Sequence, residues 1–167
     1  MRLTLTVAAA LLAAGPAFAD LSVRFIEGAP KDRFVFTHEG ACATGPMTLT
    51  VDLSGSAAGL VFDVTGEGAG VEVFQPFELV SGGDRVTVLP EVADGDTSLD
   101  LALSGLAPSD VVAFTIDLDD TIGAREITVS RSEIVGAAIT LTAGSTTATG
   151  TFGKDARTRV ALPGCLS

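Results

Sequence analysis

The chain contains no tryptophan, no tyrosine and a single histidine, His38. Without tyrosine or tryptophan there is nothing to build the aromatic girdles of an outer-membrane β-barrel. Sugar-binding platforms would have to come from phenylalanines, which sit at core-facing strand positions. One histidine leaves nucleophilic catalysis short of a base: no G-x-S-x-G elbow, no H-E-x-x-H helix and no S-x-x-K tetrad around a plausible serine can be drawn. His38 continues the face of Phe34 and Phe36 and reads as a packed or rim histidine. Cysteine is equally scarce, with only Cys42 and Cys165 and no C-x-x-C pair, which argues against redox and zinc chemistry. Basic residues are few, 10 Lys and Arg against 21 Asp and Glu, for a net charge of −11. So acidic a surface repels nucleic acid and anionic membranes. Helix signals are nearly absent, and beyond the first residues no apolar run is long enough to cross a bilayer as a helix. No enzyme class is indicated.

What is present begins with a leader. Arg2 supplies a positive start, an apolar run follows from Leu3 to Ala14, and Gly15-Pro16 breaks it. Ala17-Phe18-Ala19 then fits the small-x-small rule for a cleaved secretory signal. The expectation is a signal peptide over 1–19, a single domain over 20–167, and a secreted or periplasmic location with no membrane insertion of the mature chain. In an oxidising compartment two lone cysteines most simply form one disulfide, Cys42–Cys165, closing almost the whole domain.

Strand patterns fill the rest. Leu21–Phe25 alternates, as does Asp32–His38, with Phe34, Phe36 and His38 on one side. Met47, Leu49, Val51 and Leu53 line one face of PMTLTVDL. Leu60–Val64 is a short run ending in the glycine-rich turn Gly66–Gly70. Val71–Val80 reads as strand on either side of Pro76, which marks an edge, a bulge or a bend. Arg85–Leu89, then Leu99, Leu101 and Leu103 after the hairpin-type Asp94-Gly95-Asp96, continue the series. Glu126–Val129, Ala137–Thr142, Thr146–Phe152 and Arg157–Leu162 complete it. About a dozen short strands with turns every eight to fourteen residues predict an all-β antiparallel β-sandwich, jelly-roll or immunoglobulin-like.

The stretch Val111–Thr121 (VVAFTIDLDDT) reads as a central strand. Its oily face is Val112, Phe114, Ile116 and Leu118, and its solvent face ends in carboxylates. Asp117, Asp119 and Asp120 bring three carboxylates within four residues, and Asp94, Asp96 and Asp100 form a second group. Calcium takes six to eight oxygens, mainly carboxylates and loop carbonyls, and three clustered like charges are costly without a counterion. Neither group matches an EF-hand loop, which needs glycine at its sixth position. Calcium at Asp117, Asp119 and Asp120 is therefore the metal expectation, with Asp94, Asp96 and Asp100 next in line. The competing expectation is a solvated acidic rim on a metal-free interaction domain.

The runs GPMTLTVDLSGSAAGLVFDVTGEGAGVEVFQPFEL (Gly45–Leu79) and LAPSDVVAFTIDLDDT (Leu106–Thr121) resemble exported bacterial proteins described as aggregation-factor core proteins. That description comes from the core protein of the sponge aggregation factor, a calcium-dependent cell-adhesion complex. The resemblance implies a non-enzymatic adhesive or matrix-associated role outside the cell, with an extracellular protein or glycan as partner. It carries over no binding residue.

Overall fold

A computed structural model of the chain describes residues 19–66, 74–122 and 128–162. Among the described residues there is no helix. The strands are β1 (Ala19–Ile26), β2 (Asp32–His38), β3 (Met47–Asp52), β4 (Val61–Phe62), β5 (Glu78–Ser81), β6 (Val86–Val88), β7 (Ser98–Leu103), β8 (Val111–Ile116), β9 (Leu118–Asp119), β10 (Ala138–Ala143), β11 (Thr146–Thr151) and β12 (Arg157–Leu162). The fold is an all-β antiparallel sandwich. One sheet runs β12-β1-β2-β8-β5, the other β11-β10-β3-β7-β6, and β4 pairs with β9 in a small ribbon.

Strands form where alternation lets one face be buried. In β2 the even positions Asp32, Phe34, Phe36 and His38 are buried; in β3 Met47, Leu49 and Val51 are; in β7 Leu99, Leu101 and Leu103 are. Phe34 stands at the centre of the core, its ring 5.2 Å from Phe114, 5.4 Å from Phe25 and 6.3 Å from Phe152. Aromatic pairs at such offsets add a little beyond their area of burial. Within the order β12-β1-β2-β8-β5 against β11-β10-β3-β7-β6, the neighbours β1-β2-β8-β5 and β11-β10-β3 match A-B-E-D and G-F-C of an immunoglobulin sandwich. The order departs at β12, an additional strand outside β1, and in the middle, where β5 precedes β6 and β6 precedes β7 along the chain.

Three expectations change. Val111–Thr121 is not one strand: β8 stops at Ile116, and the chain leaves the large sheet so that β9 pairs with β4. The break coincides with a hydrogen bond to a distant segment: the Asp117 amide donates to the Gln75 carbonyl (3.1 Å). Its second face does not meet solvent, since Ala113, Thr115, Asp117 and Asp119 are each at most 5% exposed. Around Pro76, residues 74–77 carry no strand; β5 begins at Glu78, on the edge of its sheet, with a bulge between Leu79 and Ser81. That is where a residue without a backbone donor is tolerated.

The leader before Ala19, the turn beyond Gly66, Val71–Val73 and Cys165 lie outside the described residues, as do the first two positions of Glu126–Val129; the other two carry no strand. No cysteine is free among the described residues, and Cys42 lies in the loop after β2.

Candidate functional site

The short ribbon β4–β9 is where the acidic residues gather. Its register sets Val61 opposite Asp119 and Phe62 opposite Leu118. The Asp63 amide then donates to the Asp117 carbonyl at 3.1 Å, so Asp63 and Asp117 are opposite each other one step further along. Side chains alternate along a strand and align across a pair, which puts Asp63, Asp117 and Asp119 on one face of the ribbon. Gln75 closes the junction: its amide donates to the Asp63 carbonyl (3.3 Å) and its carbonyl accepts from the Asp117 amide. On the other side of β4 the loop between β6 and β7 is held by Gly95 N–H to Phe62 O and Phe62 N–H to Asp96 O, both 2.8 Å.

Asp117, Asp119 and Asp120 are each buried just beyond β8, so they are not a solvated rim, and Asp117 and Asp119 share one face of the ribbon. The second group separates. Asp94 Oδ1 accepts from the amides of Val64 (3.0 Å) and Thr65 (3.2 Å), which brings it to Asp63. Asp96 closes its own turn by accepting from the Ala93 amide (2.8 Å). Asp100 is exposed on the outer face of β7 and accepts from Thr50 Oγ1 (2.6 Å). Of the three, only Asp94 joins the site.

Two members were missed. Asp63 is 1% exposed, and neither of its carboxyl oxygens receives an N–H or O–H donor. Asp32, also 1% exposed, accepts from the Gly28 amide at 3.0 Å. Both were visible as charges inside buried patterns. Asp63 interrupts the apolar run LVFDV, and Asp32 shares the parity of Phe34 and Phe36. His38 is packed, as expected: its Nδ1 donates to the Ala107 carbonyl (2.9 Å) and the residue is buried.

The electrostatics follow from burial. Burial pushes Asp32 up to about 8, helped by the charges of Asp117, Glu27 and Asp119 and opposed by the Gly28 amide. Burial also raises Asp63 to about 7, with the adjacent Asp94 carboxyl adding to it, as two carboxyls competing for one proton do. Asp117 is raised to about 7 by burial and by the charge of Asp119. Among the described residues the ion pairs are Lys31–Glu78, Arg85–Asp84, Arg85–Asp110, Arg131–Glu27 and Arg159–Glu39, and none of these involves Asp32, Asp63 or Asp117. Buried like charges of this kind are relieved by protons or by a cation. Among the described residues no three acidic, histidine or cysteine side chains close on one point as a metal cage would. No helix among them is long and apolar enough to cross a membrane.

The chain matches no family model, and no curated protein or solved structure matches it.

Proposed function

We propose that this chain is a secreted or periplasmic, non-enzymatic module of the adhesion or matrix type, assisted by calcium taken up at the acidic end of β8. The observation that supports it is the burial of Asp117, Asp119 and Asp120, each at most 5% exposed, at the junction where β8 passes into the β4–β9 ribbon. Charges that cluster out of water need a counterion, and a hard divalent cation suits carboxylates and loop carbonyls. The class of function comes from the resemblance of Gly45–Leu79 and Leu106–Thr121 to aggregation-factor core proteins; its partner would be an extracellular protein or glycan.

The test is a thermal melt of the protein in chelator, in calcium and in magnesium at matched ionic strength. Calcium at a hundred times its dissociation constant stabilises by about 2.7 kcal/mol. Extracellular sites bind at roughly 0.1–1 mM, so millimolar calcium should raise the midpoint and magnesium should raise it less. An identical midpoint in all three conditions would favour the second reading, a metal-free interaction domain.

A further inference from the structure

We propose that a hard divalent cation of the calcium class is held between the carboxyl groups of Asp63 and Asp94, where β4 crosses the loop between β6 and β7. This rests on the calcium reading above and moves its centre to two residues on other segments of the chain.

Three observations converge on Asp63. It is 1% exposed, neither oxygen receives an N–H donor, and the group its carboxyl meets is another carboxyl, that of Asp94. A buried carboxyl with no donor is costly, and native structures rarely tolerate one without an ion, a water or a function behind it. Its face of the ribbon carries Asp117 directly opposite and Asp119 beyond, so the neighbours that could offset its charge are themselves acidic. Like charges opposite each other on a ladder destabilise it.

Asp94 is held in place beside it. The amides of Val64 and Thr65, the two residues after Asp63, both donate to Asp94 Oδ1. The loop carrying Asp94 is further pinned to β4 through Phe62. Backbone hydrogen bonds thus hold the Asp94 carboxyl beside that of Asp63, with the field of Asp117 and Asp119 behind them. Calcium is content with few carboxylates when carbonyls and waters complete six to eight oxygens; a two-carboxylate site falls in the weak extracellular range, about 10⁻⁴–10⁻³ M. A cation here would join the β6–β7 loop of one sheet to the ribbon that continues β8 of the other.

The experiment is equilibrium dialysis of the full chain against calcium, for the wild type, Asp63→Asn, Asp94→Asn and the double variant Asp117→Asn/Asp119→Asn. The expected result is one calcium per chain, at least tenfold weaker in either single variant and weakened less in the double variant, whose residues act only through their field. Wild-type affinity in both single variants would overturn this inference, and if the double variant alone lost binding the calcium reading would stand at β8. No binding by the wild type would overturn both. Should Asp63→Asn fail to melt cooperatively in chelator, amide exchange in the wild type decides. Calcium held by Asp94 should slow exchange at Val64 and Thr65 severalfold, and unchanged rates at saturating calcium would sink the proposal.

Discussion

Asp32 shares its side of β2 with Phe34, Phe36 and His38, and that parity carries a carboxyl group into the interior, 1% exposed. Burial raises it to about 8, well above the ordinary value for an aspartate in an unfolded chain. A group raised on folding stabilises the fold fully below its unfolded value, and that contribution is lost as pH climbs through the folded one. Asp63 and Asp117, each raised to about 7, act in the same direction. In chelator the midpoint of thermal unfolding should therefore fall between pH 5 and pH 8.5. Each such group contributes at most about 1.4 kcal/mol per pH unit within its window. Asp32→Asn, which keeps the shape and removes the ionisation, should flatten the slope and stabilise the fold at pH 8. Melts at half-unit pH steps check this; stability that rises from pH 5 to 8.5 would show that these carboxyls enter the fold charged and compensated.

At the scale of elements, patterns confined to one strand were legible and contacts between segments were not. Asp32–His38 is the observed β2 to the residue, and Leu99, Leu101 and Leu103 face inward as their alternation requires. The break at Asp117 was invisible because it coincides with a hydrogen bond to the Gln75 carbonyl, over forty positions away in sequence. Likewise the burial of Thr115 and Asp117 depends on what covers the outer face of β8, which β8's own period cannot report. The acidic site was half legible for the same reason: Asp117 and Asp119 announce themselves as a run, whereas Asp63 and Asp94 meet only through the crossing of β4 and a distant loop. Another inter-segment contact of this kind lies where the loops after β3 and before β10 touch. Gly136 has φ +95°, and a Cβ there would stand 2.2 Å from the Gly55 carbonyl oxygen. Backbone cannot yield as a flexible side chain does, and the left-handed conformation adds its own strain. Gly136→Ala should cost about 3 kcal/mol, read by urea denaturation. Gly144→Ala is the control, with φ +58° but open space around it, and should cost only about 1 kcal/mol. Equal losses would mean that the close approach to Gly55 is not constraining.

For the molecule as a whole, both ends of the described chain lie in one sheet. β1 is flanked by β12 and β2, with Ala19 opposite Leu162 and Leu21 opposite His38. The last residues of β12 and of β2 therefore emerge at the same end of the sheet, two strand spacings or about 10 Å apart. The Glu39 amide donates to the Asp20 carbonyl at 2.8 Å, and Arg159 pairs with Glu39 at 2.8 Å, so this end is drawn together before any covalent link is considered. Cys42 follows β2 by four positions and Cys165 follows β12 by three. Extended chain reaches about 3.3–3.6 Å per residue, so these tails can bring two Cα atoms within the roughly 4.4–6.8 Å that a disulfide needs. The expectation is a Cys42–Cys165 bond in protein made in an oxidising compartment, about two daltons lighter than the reduced chain by intact mass. Closing a loop of more than a hundred residues is worth about 4–5 kcal/mol in the chain-entropy model, by limiting the unfolded chain. Reduction, or a Cys42→Ser/Cys165→Ser variant, should lower stability by up to that amount with strand content unchanged by circular dichroism. Two thiols that react with alkylating reagent in native protein made in that compartment would refute the bond. An intact bond whose removal left stability unchanged would mean instead that pairing of β12 with β1 already confines the chain end, leaving the link little entropy to remove.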